Sequence, residues 1–374
     1  MGNPICGEMD FFNCLKNIAF KWNESRLELR KERKVIKEIA SIQKEWQLVR
    51  NASKPEVKDI KSLLIIDTLA CYGDSLYVSG LIRELEKFGI IVGVVTIESR
   101  ADIYRRFCKA DLVASFENRK SVQDFISRKW DFLVDLCYMW NHNWNFRKNF
   151  VARIDCYSVV CDPSFLLVEN NIYSDVLDLR NERHFGDKMA RIVDFVTCRG
   201  DTKTIRPFYP TEEEPGKDFK RDYIYFNAVG GVQWRTLSAE QIDYILWWFR
   251  KKKNYVAMCY LPEGIKVTED QFVRLARTKS FFDACSMVKG AKAVISPDTS
   301  IVHVAAAMDK PVLAFYCGND LEISGKQMSE MWRPLSSINK VLIAHDVSAT
   351  KRIPISKISE DEILQGLDWL EASC

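Results

Sequence analysis

A chain of 374 residues is long for a single hydrophobic core and suits two domains. Its 47% hydrophobic and 28% charged residues are ordinary globular usage, and a net charge of +3 gives no bulk field for nucleic acid. No apolar run approaches the ~20 residues of a membrane span, and Glu8 and Asp10 interrupt the N-terminus, so neither a transmembrane helix nor a signal peptide is expected.

Residues 1–60 differ from the rest. Phe11, Leu15, Ile18 and Trp22 share one helical face, and Val35, Ile39, Ile42, Trp46 and Val49 form a second stripe. Arg30, Lys31, Arg33, Lys34 and Lys37 add a modest basic excess. Such helices suit an anionic membrane surface, met through residues 11–50, or equally a helical hairpin packed on its own core or on a partner.

From residue 61 strands and helices alternate. Strands are expected at 61–66, 90–96, 112–116 and 131–137, with helices at 76–88, 100–108 and 122–130. Alternation of this kind predicts a parallel sheet in an α/β fold. Residues 138–146 then crowd Trp140, His142 and Trp144 among amides. That loop could stack sugar rings, or could simply pack its own aromatics. Residues 151–160 read as strand or helix, and a helix is expected to run through residue 195. An acidic run, prolines and a glycine at 209–216 mark a linker.

A second alternating half follows. A strand at 223–228 leads into a glycine loop, and Ser238 and Gln241 form a capping box for a helix to residue 251. A strand at 256–261 and a helix at 268–278 come next. Then 293–295, 301–308 and 312–316 read as strand, helix and strand, a βαβ unit. The last strand is 341–345, and Ser359 with Glu362 caps a final helix at 361–370. The expected domains are 1–60, a helical extension; 61–208 and 217–350, two Rossmann-like halves; and 351–374, a helix placed to pack back on the N-terminal half.

Twelve scattered cysteines without a CxxC pair, and only four histidines, predict free thiols in a reducing cytoplasm and no zinc-type site. Open α/β sheets bind ligands at the carboxyl ends of their strands, so chemistry is sought there. In the first half Gly73 permits a tight turn and Asp74 opens a helix. The positive helix end should keep that carboxylate ionised with a lowered pKa, able to take a proton from a hydroxyl or simply to cap the helix. In the second half Gly230 and Gly231 offer backbone amides, and the Arg235 fork matches phosphate oxygens. The spacing is neither a P-loop nor a dinucleotide fingerprint. Thr299 and Ser300 stand where a helix start would cradle an anion, and His303 lies one turn on.

Together these pieces resemble the bacterial lipopolysaccharide heptosyltransferases, the inverting GT-B glycosyltransferases of family 9. One signature is a buried strand and a turn ending in Gly73 and Asp74. The more specific one is Asp298, Thr299, His303, Ala305 and Ala306, then Pro311, Val312, Gly318 and Asp320. The likeness runs from about residue 61 to about 345. It implies a GT-B fold, two Rossmann-like doubly wound domains facing a cleft, with donor nucleotide on the C-terminal half and acceptor on the N-terminal half.

Carried over by position, Asp74 resembles the base that deprotonates the acceptor. Asp298, Thr299, Ser300 and His303 resemble contacts to the donor diphosphate and sugar. Arg235, Gly230 and Gly231 stand near the family's phosphate site, and Glu263 matches an acidic donor contact. Trp140, His142, Trp144 and Arg100 are the candidate acceptor contacts. Ser300 replaces the usual glycine.

The implied activity is inverting, metal-independent transfer of a sugar, heptose from ADP-heptose, to lipopolysaccharide core or another lipid-linked acceptor, with no cofactor. It would take place at the cytoplasmic face of the inner membrane. The alternatives are a GT-B sugar-nucleotide epimerase or hydrolase, and a non-catalytic nucleotide-sugar-binding scaffold.

Overall fold

The computed structural model describes residues 53–68, 71–107, 112–136, 150–151, 153–161, 173–210, 221–321, 327–346, 348–349 and 351–374. The amphipathic stripes of residues 11–49, and Trp140, His142 and Trp144, lie outside the described residues.

The first half holds β1 (Ser62–Asp67), α1 (Tyr72–Glu86), β2 (Ile91–Thr96), α2 (Glu98–Phe107), β3 (Val113–Ser115), α3 (Arg119–Ser127), β4 (Phe132–Asp135), β5 (Tyr157–Val160), β6 (Asp175–Val176) and α4 (Phe185–Thr197). Its strands lie in the order β3-β2-β1-β4-β5-β6, every pairing parallel. Leu63, Leu64, Ile65 and Ile66 of β1 are all fully buried. A central parallel strand is covered on both faces, so it reads as an unbroken apolar run rather than an alternation. Of residues 151–160, open between strand and helix, Tyr157–Val160 form β5.

The second half holds β7 (Tyr223–Asn227), α5 (Ala239–Lys252), β8 (Val256–Tyr260), β9 (Val273–Leu275), α6 (Phe281–Gly290), β10 (Ala293–Pro297), α7 (Ser300–Ala307), β11 (Val312–Tyr316), α8 (Met328–Met331), β12 (Asn339–Ile343) and α9 (Glu360–Ala372). Its order, β12-β11-β10-β7-β8-β9, is the same winding repeated, again parallel throughout. Each sheet reverses its strand order beside its first strand: between β1 and β4, and between β7 and β10. Ligands bind such sheets outside the carboxyl ends at that switch point.

Capping chemistry sets several boundaries. Ser238 with Gln241, Ser280 with Asp283 and Ser359 with Glu362 form reciprocal capping boxes for α5, α6 and α9. His184 caps α4 in the same way with Asp187.

Three expectations fail here. The helix expected at 268–278 is extended, because Val273 is buried and β9 pairs with β8 as the third strand of its sheet. Helix α1 starts at Tyr72, so Gly73 and Asp74 lie in its first turn rather than before it. Helix α9 does not return to the N-terminal half: Ile363, Leu367 and Leu370 are buried with Ile242, Ile245 and Phe249 of α5 and Leu313 of β11.

The halves interlock. Leu76 of α1 is buried in the core of the second half, and Met331 of α8 in that of the first. Arg206, in the connection between the halves, donates to the Leu335 carbonyl and pairs with Asp309 at 2.9 Å. None of the described helices is long and apolar enough to cross a membrane.

Candidate active site

The two helix starts singled out in the sequence meet face to face. A Cβ placed on Gly73 would lie 2.8 Å from the Cδ2 of His303 and 3.7 Å from the Cα of Ser300. Only a hydrogen at position 73 lets α1 approach α7 this closely. Asp74, the next residue, lies in the same first turn of α1 that meets the N-terminus of α7 at the seam between the halves.

On the first half, Asp74 is half-buried and accepts hydrogen bonds from the backbone and thiol of Cys71, the α1 N-cap. Its pKa is not lowered by the helix end, as expected above, but raised to about 7. Burial is the main cause, followed by the Asp67 carboxylate; the Cys71 bonds and Arg100 pull the other way without prevailing. A helix terminus contributes partial charge, whereas desolvation acts on a full one. Asp67 ends β1, is fully buried and accepts from the Tyr104 hydroxyl. Sequence reading missed it. The only signal was a carboxylate closing an apolar strand. Arg100, proposed as an acceptor contact, lies over the Tyr72 ring at 3.7 Å.

On the second half, Thr299 is the N-cap of α7 and accepts from the Ile301 amide. Asn227, at the end of β7, donates to the hydroxyls of Ser296 and Thr299 at 3.0 and 3.3 Å and so ties the two switch-point strands together. Arg235 reaches the same place from a short 3-10 turn. A Cβ on Gly230 would lie 2.3 Å from the Arg235 carbonyl oxygen, so that glycine lets the loop fold back on itself. Gly231 and Glu263 are exposed.

Arg235 pairs with Asp298 at 3.0 Å and with Asp320 at 3.1 Å, and Arg352 holds the other Asp320 oxygen at 2.7 Å. Two guanidinium groups thus face two buried carboxylates. Burial pushes Asp298 up to about 6, with Asp320 adding to the rise and Arg235 opposing it. The Arg235 Nε is buried without a partner. Arg352 also lies over the exposed Trp234 ring, 5.0 Å from its centroid.

His303 departs from a simple phosphate contact. It is 3% exposed, its ring packs edge-on to Tyr77 at 5.2 Å and near Trp332 at 5.7 Å, and its Nδ1 has no partner. Burial and the nearby His184 hold its pKa down at about 3, so the ring is neutral. It fills the seam beneath Gly73. Among the described residues, no three or more His, Cys, Asp or Glu side chains converge to hold a metal ion. Eight described cysteines are free thiols, Cys71 at the seam among them.

Two Rossmann-like sheets of identical winding, with facing helix starts at their switch points, define the GT-B fold. The model for glycosyltransferase family 9 (heptosyltransferase) matches residues 207–351. "Putative lipopolysaccharide heptosyltransferase 4" of Escherichia coli (strain K12) is 23% identical over 302 residues, which span 72% of this chain and 79% of the relative. A family 9 glycosyl transferase structure from Veillonella parvula superposes with TM-score 0.65 at 14% identity, covering 87% of this chain and all of the other. The E. coli ADP-heptose lipopolysaccharide heptosyltransferase II structure gives 0.63 at 15% identity over 83% of this chain and 99% of its own. E. coli heptosyltransferase WaaC with ADP gives 0.58 at 14%, over 82% and 97%. The resemblance to family 9 is thus shown, in a matched segment that spans the donor-side motif and in the fold of both halves.

Proposed function

We propose that the chain is an inverting glycosyltransferase that moves heptose from ADP-heptose to a hydroxyl of lipopolysaccharide core. The observation that carries this is the meeting of the Gly73–Asp74 turn with the start of α7 across the seam. It sets a carboxyl group with a pKa of about 7 opposite a helix N-terminus suited to a diphosphate. Substrates named for the E. coli relatives supply the donor and acceptor classes.

In the step proposed, the acceptor oxygen attacks the anomeric carbon from the face opposite the diphosphate. Asp74 takes the acceptor proton as the new carbon–oxygen bond forms, and the bond to the diphosphate breaks. A base whose pKa lies near the working pH is well matched to this task. Negative charge gathers on the departing diphosphate, where α7 amides, Thr299, Ser300 and the Arg235 fork would meet it. For Arg235 to serve, its forks must exchange Asp298 for a phosphate oxygen; a proton held by Asp298 makes that exchange cheaper. Glu263, Gly230 and Gly231 line the donor side of this reading, and His303 supports the seam rather than the phosphate.

Transfer is proposed to be metal-independent and to occur at the cytoplasmic face of the inner membrane. The direct test is Asp74→Asn assayed with ADP-heptose and lipopolysaccharide core. Abolished transfer is expected, and undiminished transfer would remove Asp74 from the mechanism. Turnover of ADP-heptose without acceptor would point to an epimerase or hydrolase, and a rate lost in EDTA would overturn metal independence.

A further inference from the structure

The halves also meet at the cleft through a continuous stack of side chains. Tyr72, first residue of α1, lies flat on Phe281, first residue of α6, with centroids 4.0 Å apart and planes 8° from parallel. The Arg100 guanidinium lies 3.7 Å from the same Tyr72 centroid. Two groups this close cannot share one ring face, so Arg100 covers the face opposite Phe281. Farther along α2, Arg106 lies 3.7 Å from the Phe282 centroid, and Phe282 meets Phe281 edge-on at 5.8 Å. Helix α2 supplies two guanidinium groups, α6 supplies two rings, and Tyr72 is interleaved between them.

Tyr72 stands two residues before Asp74 in the same helical turn. The groups around Asp74 are Asp67 from β1, Arg100 and Tyr104 from α2, Cys71 and Tyr77 from its own segment, and neutral His303 from α7, against Gly73. Asp67 and burial favour the protonated acid; Arg100 is the cation that opposes them. A stacked guanidinium is held in place by the ring beneath it.

We propose that Tyr72 is a positioning residue for the base: in the closed arrangement of the two halves Phe281 fixes the Tyr72 ring, and the ring holds Arg100 beside Asp74. This rests on the reading of Asp74 as the base. It ties the proton affinity of Asp74 to closure, because opening the seam takes Phe281 away from Tyr72 and loosens Arg100. Activation of the acceptor is thereby linked to engagement of the donor half.

The test has one readout that needs no substrate. In carboxyl-13C NMR titrations of the free protein, the Asp74 resonance is identified by its absence in Asp74→Asn. Tyr72→Ala and Phe281→Ala are expected to raise its midpoint by about 0.5–1 unit, as does Arg100→Ala, while Tyr72→Phe leaves it in place. With ADP-heptose and lipopolysaccharide core, the alanine variants should lose up to about tenfold in rate at pH 6 and almost nothing at pH 9. If Phe281→Ala does not fold, Phe281→Leu removes the flat ring and keeps most of the bulk. An unchanged midpoint in the Tyr72 and Phe281 variants, or an equal rise in Tyr72→Phe, overturns the inference. If Asp74→Asn is inactive while these midpoints do not move, only the inference falls. Should Asp74→Asn retain transfer, the functional reading falls first.

Discussion

In the turn after β1, Asp74 has burial and Asp67 raising its proton affinity, with the Cys71 hydrogen bonds and the stacked Arg100 opposing them. At the end of β10, Asp298 is more deeply buried but has Arg235 at 3.0 Å. Both turns follow the first or fourth strand of the same winding, and both open a helix. Their carboxyl groups nevertheless settle at about 7 and about 6. The difference comes from what the rest of each half brings alongside. The first turn is equipped to exchange a proton near neutral pH. The second is a charge-balanced cluster whose arginines can be lent to an anion. One is suited to a base, the other to a leaving group.

Removing the first carboxylate should break the comparison most severely. Asp74→Asn is expected to cost about 10²–10⁴ in kcat with donor binding retained, measured as transfer rate against ADP-heptose affinity. The same change should stabilise the fold, but only at high pH. The raised pKa means that the stability carried by the protonated acid is full below about 4 and is lost as pH rises through about 7. Urea unfolding should show Asp74→Asn about 2–4 kcal/mol more stable than the parent at pH 8 and no different at pH 4.

Arg235→Ala attacks the other turn. It leaves Asp298 and half of Asp320 unpaired, which should cost on the order of 3 kcal/mol in stability at neutral pH. The loss should shrink toward pH 5 as Asp298 takes up a proton. Calorimetry with ADP should show weakened binding in the same variant.

Gly73→Ala tests whether the turns need to touch. Its methyl group would collide with the His303 ring at 2.8 Å, so a loss of about 1–3 kcal/mol and a slowed transfer are expected together. The smallest effect is predicted for Ser300→Gly, which restores the residue usual in the family. Helix α7 starts at Ser300 without a left-handed backbone, so the backbone does not demand glycine there. The change should cost at most about 1 kcal/mol in stability and alter the KM for ADP-heptose without abolishing transfer.

Much of the molecule was legible before its folding was known. Uninterrupted apolar strands such as Leu63–Ile66 and the Ser238/Gln241 and Ser359/Glu362 boxes depend on neighbours in sequence. Even the opposition of a Gly-Asp turn and an Asp-Thr-Ser turn could be surmised, because each follows a recognisable strand. Failure came where a neighbour distant in sequence outweighed the local signal. Residues 273–275 look helical in isolation but supply the third strand of a sheet whose partner, β8, lies upstream. Asp74 looks like an ionised helix cap until burial and Asp67 are counted. His303 looks like an anion ligand until Tyr77 and Trp332 close around it.

The sequence by itself determined the two-fold repetition of the α/β halves and the chemical types at their strand ends, since periodicity, capping and composition act over a few residues. Only the tertiary structure decided which groups meet: across the seam Gly73 on His303 and Tyr72 on Phe281, and within the second half Arg235 between Asp298 and Asp320. Proton affinity, ion pairing and stacking depend on distance and desolvation, and both are set by packing between residues some 60 to 230 positions apart in the chain.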